Sequence, residues 1–107
     1  MEKYKVIIQQ SAEYDLNSIV EYIAISLKEK EIAIKLYKKI KDGINSLQAS
    51  PGRCAIVDEE RLKSMKVRRL LVDNYSVFYY VDNSNNTVHI LRILYNKRNW
   101  KKLITDQ

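Results

Sequence analysis

Hydrophobic residues in the first half of the chain recur at three- and four-residue spacings, the period at which an α-helix returns to the same face. Two such stripes are present, one made of Ala12, Leu16, Ile19, Ile23 and Leu27 and the other of Ala33, Leu36, Ile40, Ile44 and Leu47. A charged run, KEKE at 28–31, separates them, and Pro51 follows the second. The pattern predicts two amphipathic helices that form a hairpin and pack on the same surface.

Polar and acidic residues mark the start of the first helix. Tyr4 to Gln9 is a β-rich run, and Ser11 follows it at a position where its side-chain oxygen can cap the helix. Glu13 and Asp15 lie in the first turn, where negative charge favours the helix dipole. Gly43 stands beside the second stripe, although glycine destabilises the interior of a helix. We therefore expect the helix backbone to approach a neighbouring element closely there.

Three β-rich runs follow in the second half, from Met65 to Val72, Tyr75 to Val81 and Thr87 to Leu94. Short polar connections that tolerate positive φ join them, at 73–74 and at 82–86. Because connections this short join antiparallel neighbours, the three runs are predicted to form an antiparallel meander.

The order of the predicted elements is β-α-α-β-β-β. The run from Tyr4 to Gln9 joins the meander as a fourth strand, and the helical hairpin buries one face of a mainly antiparallel sheet, which is an α+β architecture. The other face is then left as a concave working surface. We expect residues 53–64 to be a loop of low order, a short tail after the last strand, and a single domain over residues 1–107.

The composition is that of a compact globular protein. Of 107 residues, 46% are hydrophobic and 30% charged, with two glycines and one proline, which excludes a disordered or fibrous chain. No apolar run approaches the ~20 residues that span a bilayer, and the charged start is unlike a secretory signal. The single cysteine, Cys54, cannot form an internal disulfide, which suits a reducing compartment. We therefore expect a cytoplasmic protein that does not contact a membrane.

The positive charge is concentrated towards the C-terminus. The formal net charge is +6, but Arg61 to Lys102 contains ten basic and two acidic residues, a net charge of +8, while the remainder carries −2. An acidic partner would meet the protein on this part. The alternative is a solvated basic face without a partner.

The sequence contains no motif for a bound nucleotide or metal. It has no phosphate-cradling glycine loop and no Cys/His pair at metal-ligand spacing, so we expect neither a cofactor nor a metal. His89, the single histidine, lies in a predicted strand, where a structural role is favoured over that of a catalytic base. The remaining candidates are basic and aromatic residues on or near the predicted strands: Lys66, Arg68, Arg69, Arg92, Tyr95, Lys97, Arg98 and Trp100.

Such a set of residues is compatible with two functions. Cations on a sheet can hold phosphates and stabilise the extra charge of a pentacovalent transition state, which would be metal-free cleavage of RNA by its own 2′-hydroxyl. Tyr95 would then stack on a base or exchange a proton, although an unperturbed pKa of ~10 makes tyrosine a poor base. Arginine, tyrosine and tryptophan are equally the residues that dominate protein interfaces. The residues alone leave both alternatives open.

Four successive segments resemble toxins of the RelE/ParE superfamily of type II toxin–antitoxin systems. They are YKVIIQQSAEYDLNSIVEYIA, IKDGINSLQASPGR, RRLLVDNYSVFYYVD and VHILRILYNKRNW, which together cover nearly the whole chain. The last departs from the superfamily pattern, with Lys97 at the first of two basic positions. The resemblance implies a cytoplasmic bacterial toxin held inactive by an acidic antitoxin encoded by the adjacent gene. We expect a segment of that antitoxin to cover the concave sheet face and the second helix.

The superfamily contains two kinds of toxin. RelE-like members are ribosome-dependent mRNA endonucleases and typically carry an arginine after the tyrosine that opens the third strand, where this chain has Ser76. ParE-like members inhibit growth by acting on DNA gyrase through protein binding. The third strand and the end of the fourth are closer to the ParE-like pattern, so the resemblance favours a gyrase inhibitor, with RNA cleavage on the ribosome as the alternative.

The resemblance assigns different roles in the two cases. In a nuclease, Arg69 and Arg98 would hold the scissile phosphate and Tyr95 would stack or transfer a proton. Many relatives carry histidine at the position of Tyr95, so imidazole catalysis is disfavoured here. In a gyrase-binding toxin, the contact and positioning residues would be Arg68, Arg69, Arg92, Tyr95, Lys97, Arg98 and Trp100.

Two of these residues have a structural alternative. Arg92 lies within a strand and would pair with Asp73 or Asp82. Trp100 would be a core plug that anchors the tail.

Overall fold

Four strands and four helices form the fold within residues 3–105, the part that the computed structural model describes, with the side chains of Trp100, Lys101 and Thr105 excepted. The strands are β1 (Lys5–Ile8), β2 (Arg68–Val72), β3 (Tyr75–Asp82) and β4 (Thr87–Tyr95). The helices are α1 (Gln10–Glu21), α2 (Lys30–Ser46), α3 (Glu60–Ser64) and α4 (Trp100–Thr105). A turn of π-helix, Tyr22–Ser26, follows α1 and is called the π-turn below. Within this part of the chain, no helix has both the length and the hydrophobicity to cross a membrane.

The sheet has the strand order β1-β4-β3-β2. β1 runs parallel to β4, with Lys5 opposite Thr87, and the other neighbours are antiparallel. Asp73 and Asn86, in the two connecting turns, have φ values of 52° and 49°, the left-handed conformation that short hairpin turns use. The predicted α+β order and the mainly antiparallel sheet are confirmed.

α1 and α2 pack on one face of the sheet and enclose the main core. The first predicted stripe supplies Ala12, Leu16 and Ile23, and the second supplies Ala33, Leu36, Ile40, Ile44 and Leu47. The sheet contributes Leu70, Val77, Tyr79, Val88, Ile90 and Ile93. α2 approaches β2 closely at Gly43, where a Cβ atom would lie 3.2 Å from Cγ2 of Val72. The predicted hairpin and its glycine contact are confirmed.

The first stripe ends earlier than predicted. α1 stops at Glu21, and in the π-turn the N–H of Leu27 bonds to the carbonyl of Tyr22, five residues back. This wider turn rotates the following side chains away from the stripe, and Leu27 is 51% exposed. The prediction that Leu27 continues the core stripe is wrong.

The start of α1 also differs from the prediction. The helix begins at Gln10, and Gln9 occupies the N-cap position without a side-chain hydrogen bond. The hydroxyl of Ser11 instead donates to the carbonyl of Leu91 at 2.8 Å. The prediction that Ser11 caps the helix is wrong, because its hydroxyl is hydrogen-bonded to a strand carbonyl.

The opposite face of the sheet carries a second apolar cluster. Its members are Val57, Leu62, Val67, Phe78, Leu94 and Ile104. Leu62 lies in α3 and Ile104 in α4, so these two short helices cover part of the face. The prediction of an open concave surface is wrong where they lie, and the predicted tail contains a helix.

The segment between α2 and β2 is more ordered than the predicted loop. Glu59 caps α3 by accepting the N–H of Leu62 at 3.0 Å, and Ile56 forms an antiparallel bridge to Arg68. A turn follows α3, so β2 begins at Arg68 instead of Met65. The other three strands begin and end within one residue of their predicted bounds.

Candidate functional site

Asp15 of α1 contacts the outer edge of β4 beyond the end of β1. β1 ends at Ile8, opposite Ile90, and the outer edge of β4 beyond that point faces α1. There Asp15 Oδ2 accepts the N–H of Ile93 at 3.0 Å, and the carboxylate accepts two N–H groups of Arg92 at 2.6 and 3.0 Å. Only 15% of the Arg92 side chain and 10% of that of Asp15 are exposed. The buried ion pair therefore ties Arg92 to α1.

The acidic residues that the sequence pairs with Arg92 are engaged elsewhere. Asp73 accepts the ammonium of Lys39 at 3.3 Å, and Asp82 accepts the side-chain amide of Asn85 at 2.7 Å within its own turn. The hydrogen bond from Asn85 is also the main reason why the pKa of Asp82 is lowered. The prediction that Arg92 pairs with Asp73 or Asp82 is wrong.

A β-bulge in β4 changes the phase of its side chains. Phe78 lies opposite Arg92, and Tyr79 lies opposite Ile90, so Leu91 is an extra residue on β4. Before the bulge, the even-numbered residues of β4 face the helices. After the bulge, the odd-numbered residues do so.

Tyr95 therefore faces the helices and meets Tyr75 of β3, with 5.5 Å between the ring centroids. These rings, Arg98, the π-turn and the start of α2 line a cavity of about 660 Å³, called the tip groove below. Its most exposed apolar residues are Tyr22, Leu27 and Ile32. Burial, and after it the neighbouring Tyr95, raises the pKa of Tyr75 above its usual value.

Arg69 is held in a hydrogen-bonded network on the other face of the sheet. Its Nε donates to Ser76 Oγ at 2.7 Å, and its Nη2 donates to Asn96 Oδ1 at 3.3 Å. The hydroxyl of Ser76, which is fully buried, donates to the same Asn96 oxygen. Ser76 lies opposite Leu94, a member of the second apolar cluster, whereas its neighbour Tyr75 lines the tip groove. The network and the tip groove therefore lie on different faces.

Arg68 supports the connection that follows α2. Its Nη1 donates to the carbonyls of Gly52 and Cys54, at 3.2 and 2.5 Å. The buried hydroxyl of Tyr79 donates to the carbonyl of Pro51 at 2.7 Å, in the same connection. Burial raises the pKa of Tyr79 above its usual range. These bonds fix the loop against β2 and β3.

The other predicted site residues have different surroundings. Lys66 is exposed in the turn after α3, with φ of 58°, and Lys97 is exposed after β4. Arg98 is exposed at the wall of the tip groove. The side chain of Trp100 lies outside the described residues, so its role as a core plug stays a prediction.

The three candidate catalytic residues do not form one cluster. Tyr95 and Arg98 line the tip groove, while Arg69 belongs to the network on the other face. His89 is stacked on Tyr80, with ring centroids 4.7 Å apart, on that same face. Among the residues with described side chains, no three His, Cys, Asp or Glu residues come together as a metal-binding group.

Sequence reasoning places Asp15 in the first turn of α1, where the structure has only Glu13, and it misses Asn96 and the walls of the tip groove. The partners of Asp15 and Asn96 are remote in sequence, so nothing local indicates them. The groove residues Tyr22 and Ile32 can be recognised in the sequence, because they are large apolar residues outside the apolar stripes of the two predicted helices. Such off-stripe apolar residues are typical of an interaction surface only where they cluster, as these do at the tip groove.

Over residues 6–100, the sequence matches the family described as the ParE toxin of the type II toxin–antitoxin system parDE. The chain belongs to this ParE toxin family. This confirms the resemblance to the RelE/ParE superfamily. No curated protein is significantly similar to this ParE-family chain.

The solved structures with the fold of this ParE-family toxin include two from toxin–antitoxin systems. One comes from the chromosomal ParDE toxin–antitoxin system of P. aeruginosa, with a TM-score of 0.70 and 23% identity over 87% of this chain and 96% of that one. The other belongs to the toxin–antitoxin complex RelBE2 of Mycobacterium tuberculosis, with a TM-score of 0.63 and 21% identity over 89% and 93%. At these identities the likeness concerns the fold alone.

Proposed function

We propose that this protein is the toxin of a type II toxin–antitoxin system and that it inhibits growth by binding DNA gyrase in the cytoplasm. Membership of the ParE toxin family supports the toxin role. The neighbours with the same fold come from ParDE and RelBE toxin–antitoxin systems, which supports an antitoxin as the partner. The proposed antitoxin is acidic, in keeping with the net charge of +8 over Arg61 to Lys102, and we expect the adjacent gene to encode it.

The separation of Arg69 from Arg98 supports binding over RNA cleavage. A metal-free nuclease needs cations that converge on one phosphate, because the transition state gains negative charge there. Here the guanidinium of Arg69 donates to Ser76 and Asn96, whereas Arg98 stands at the tip groove on the other face. Each missing contact to the transition state costs on the order of 3 kcal/mol, or ~10² in rate.

Tyr95, Lys97 and Arg98 are the residues that we propose to contact gyrase. Tyr95 is the last residue of β4, and Lys97 and Arg98 are exposed in the turn that follows it. Tyrosine and arginine give interfaces much of their energy, because each combines a large contact area with hydrogen bonding. The exposed turn thus presents two cations beside the half-buried ring of Tyr95.

Two assays with the purified protein test this proposal against the nuclease alternative. In the first, the protein is titrated into a DNA supercoiling reaction of purified gyrase, and we expect supercoiling to stop. In the second, it is added to ribosomes translating a defined mRNA, and we expect the message to stay intact. In cells, induction should block DNA replication before messages are lost.

Arg98→Ala supplies the variant for both assays, with Lys63→Ala as the matched control. Lys63 is also an exposed cation, with 68% of its side chain accessible, but it lies on α3 away from the tip groove. We expect Arg98→Ala to weaken gyrase inhibition about tenfold or more and Lys63→Ala to leave it unchanged. Prompt mRNA cleavage within translated codons, abolished by Arg98→Ala, would make the protein a nuclease instead.

A further inference from the structure

Asn96 joins the end of β4 to the hairpin of β2 and β3 through both its backbone and its side chain. Its amide N–H donates to the carbonyl of Asn74, in the turn between β2 and β3, at 2.8 Å. Its side-chain oxygen Oδ1 accepts the hydroxyl of Ser76 and, at 3.3 Å, Nη2 of Arg69. One residue of the connection after β4 is therefore bonded to both strands of the hairpin and to the turn between them.

The side chains of Arg69, Ser76 and Asn96 form a closed ring of hydrogen bonds. Nε of Arg69 donates to Ser76 Oγ at 2.7 Å, so the guanidinium bridges the oxygens of Ser76 and Asn96. The two donors to Asn96 Oδ1 use both lone pairs of that oxygen. Ser76 is fully buried, and a hydrogen bond from a charged donor is stronger where water is excluded. The ring is therefore a firm support for the side chain of Asn96.

The turn that begins at Asn96 carries two exposed cations. Lys97 and Arg98 follow it directly, and the N–H of Arg98 closes the turn by donating to the carbonyl of Tyr95 at 3.1 Å. α4 begins just after the turn, and Ile104 of this helix packs in the second apolar cluster. Hydrogen bonds thus hold the turn on one side, and apolar packing of α4 holds it on the other.

A turn that is already ordered favours the binding of a partner. Ordering a flexible backbone at the moment of binding opposes association, and a turn in its bound conformation avoids this loss of entropy. Asn96 is half-buried, and the ring engages its side-chain oxygen. Asn96 would therefore act on a partner through the neighbouring cations, whose long side chains start from the backbone that it fixes.

We propose that Asn96 is a positioning residue of this toxin: supported by Ser76 and Arg69, it holds Lys97 and Arg98 in the conformation that binds gyrase. This inference rests on the proposed function and names the residues that prepare its binding turn. The acceptor oxygen of Asn96 is the essential feature, because both side-chain bonds to Asn96 end on it. Aspartate keeps such an oxygen, whereas leucine has a similar size and lacks it.

Inhibition of DNA supercoiling by purified gyrase measures the effect, with the full chain titrated to half-inhibition. Asn96→Leu should raise the required concentration about tenfold, and Asn96→Asp should stay within about threefold of the wild type. The matched control is Asn85→Leu, because the side chain of Asn85 also donates a hydrogen bond, to Asp82, in the turn at the other end of β3 and β4. The control should inhibit like the wild type. No loss with Asn96→Leu, or an equal loss with Asn96→Asp, would overturn the proposal.

A double-mutant cycle with Arg98→Ala separates positioning from general stability. If Asn96 acts through Arg98, Asn96→Leu should weaken inhibition by only about threefold or less in a protein that already carries Arg98→Ala. The same cycle measured by thermal unfolding should be additive, because Arg98 is exposed and outside the ring. Equal effects on inhibition in both backgrounds would contradict the positioning role. Ser76→Ala breaks the ring from β3 and should also weaken inhibition, so it replaces Asn96→Leu if that variant does not fold.

Amide hydrogen exchange of the isolated protein examines the turn without gyrase. The N–H groups of Asn96 and Arg98 should exchange about 100-fold or more slowly than in the unfolded chain, both in the wild type and in Asn96→Asp. In Asn96→Leu they should exchange about tenfold faster than in the wild type. Unchanged protection in Asn96→Leu would show that the ring does not hold the turn and would overturn the proposal. If the wild type leaves gyrase active, the gyrase proposal fails, and the exchange rates still decide whether Asn96 holds the turn.

Discussion

The carboxylate of Asp15 takes the place of a strand neighbour for Ile93, whose amide N–H it accepts at 3.0 Å. One turn earlier on α1, the hydroxyl of Ser11 donates to the carbonyl of Leu91. Side chains of α1 thus continue the hydrogen bonding of β4 beyond the end of β1. They do so without adding a strand, and this keeps the end of β4 in place beside the tip groove.

Asp15→Ala should lower the free energy of unfolding by about 3–5 kcal/mol, because it leaves Arg92 buried without its counter-charge and Ile93 without an acceptor. Urea denaturation of the wild type and the variant measures the change. Glu13→Ala is the control, since Glu13 is exposed on the same helix, and it should change stability by about 0.5 kcal/mol or less. A loss below about 1 kcal/mol for Asp15→Ala would show that the pair is not important for stability.

Arg69→Ala and Arg98→Ala should differ in their effect on stability. Removal of Arg69 takes a donor from buried Ser76 and from Asn96, which should cost about 1–3 kcal/mol. Removal of exposed Arg98 should cost about 0.5 kcal/mol or less. Thermal unfolding of the two variants, side by side, provides the comparison. Equal stabilities would contradict the structural role of Arg69.

Tyr79 should make the fold sensitive to alkali. Its pKa is raised by burial, so the unfolded chain loses the proton first, near pH 10. The contribution of Tyr79 to stability is therefore complete below about pH 10, and it is lost as the pH rises through the pKa of Tyr79 in the folded protein. Denaturant midpoints at pH 8 and pH 10.5 measure the decline.

Tyr79→Phe separates this effect from the titration of other groups. The variant loses the hydrogen bond to Pro51, which should cost roughly 1 kcal/mol at pH 8. Because phenylalanine has no proton to lose, its stability should fall less between the two pH values. An identical decline in both proteins would exclude Tyr79 as the source.

Gly43→Leu should destabilise the protein by about 1–3 kcal/mol, because β2 leaves no room for a larger side chain. Even a Cβ would lie 3.2 and 3.3 Å from side-chain atoms of Val72 and Leu70. Gly52→Leu is the control, since a Cβ at Gly52 meets nothing within 4 Å. Chemical denaturation should show a loss for the first variant alone. A stable Gly43→Leu protein would mean that α2 can move away from β2.

The apolar stripes predict the helical hairpin because burial of one face constrains every third or fourth residue of a helix. The sheet is predicted by the β-rich runs and the short connections between them. Ala33, Ile40 and Ile44 are fully buried as the pattern requires. The same reasoning fails at Leu27, where the π-turn inserts an extra residue into the helical period. A pattern based on a constant period cannot reveal a local change in that period.

The candidate site is harder to predict than the fold, because its geometry depends on an irregularity in β4 and on a contact between residues far apart in sequence. The bulge at Leu91 decides which face Tyr95 lies on, and a simple alternation along the strand gives no sign of it. Arg92 meets Asp15, 77 positions away in sequence, although Asp73 and Asp82 are much nearer along the chain. Sequence reasoning can name the cations of this protein, but the tertiary fold decides which of them are free to bind.

The parallel pairing of β1 with β4 has a consequence for the synthesis of the protein. Ser11 and Leu91, which are joined by a hydrogen bond across this part of the fold, lie 80 positions apart. Contacts so distant in sequence form late and slow folding, because a long loop must close first. During translation, β1 and the apolar face of α1 must wait for β4 to leave the ribosome. A nascent chain therefore lacks the assembled groove and turn until β4 has been synthesised.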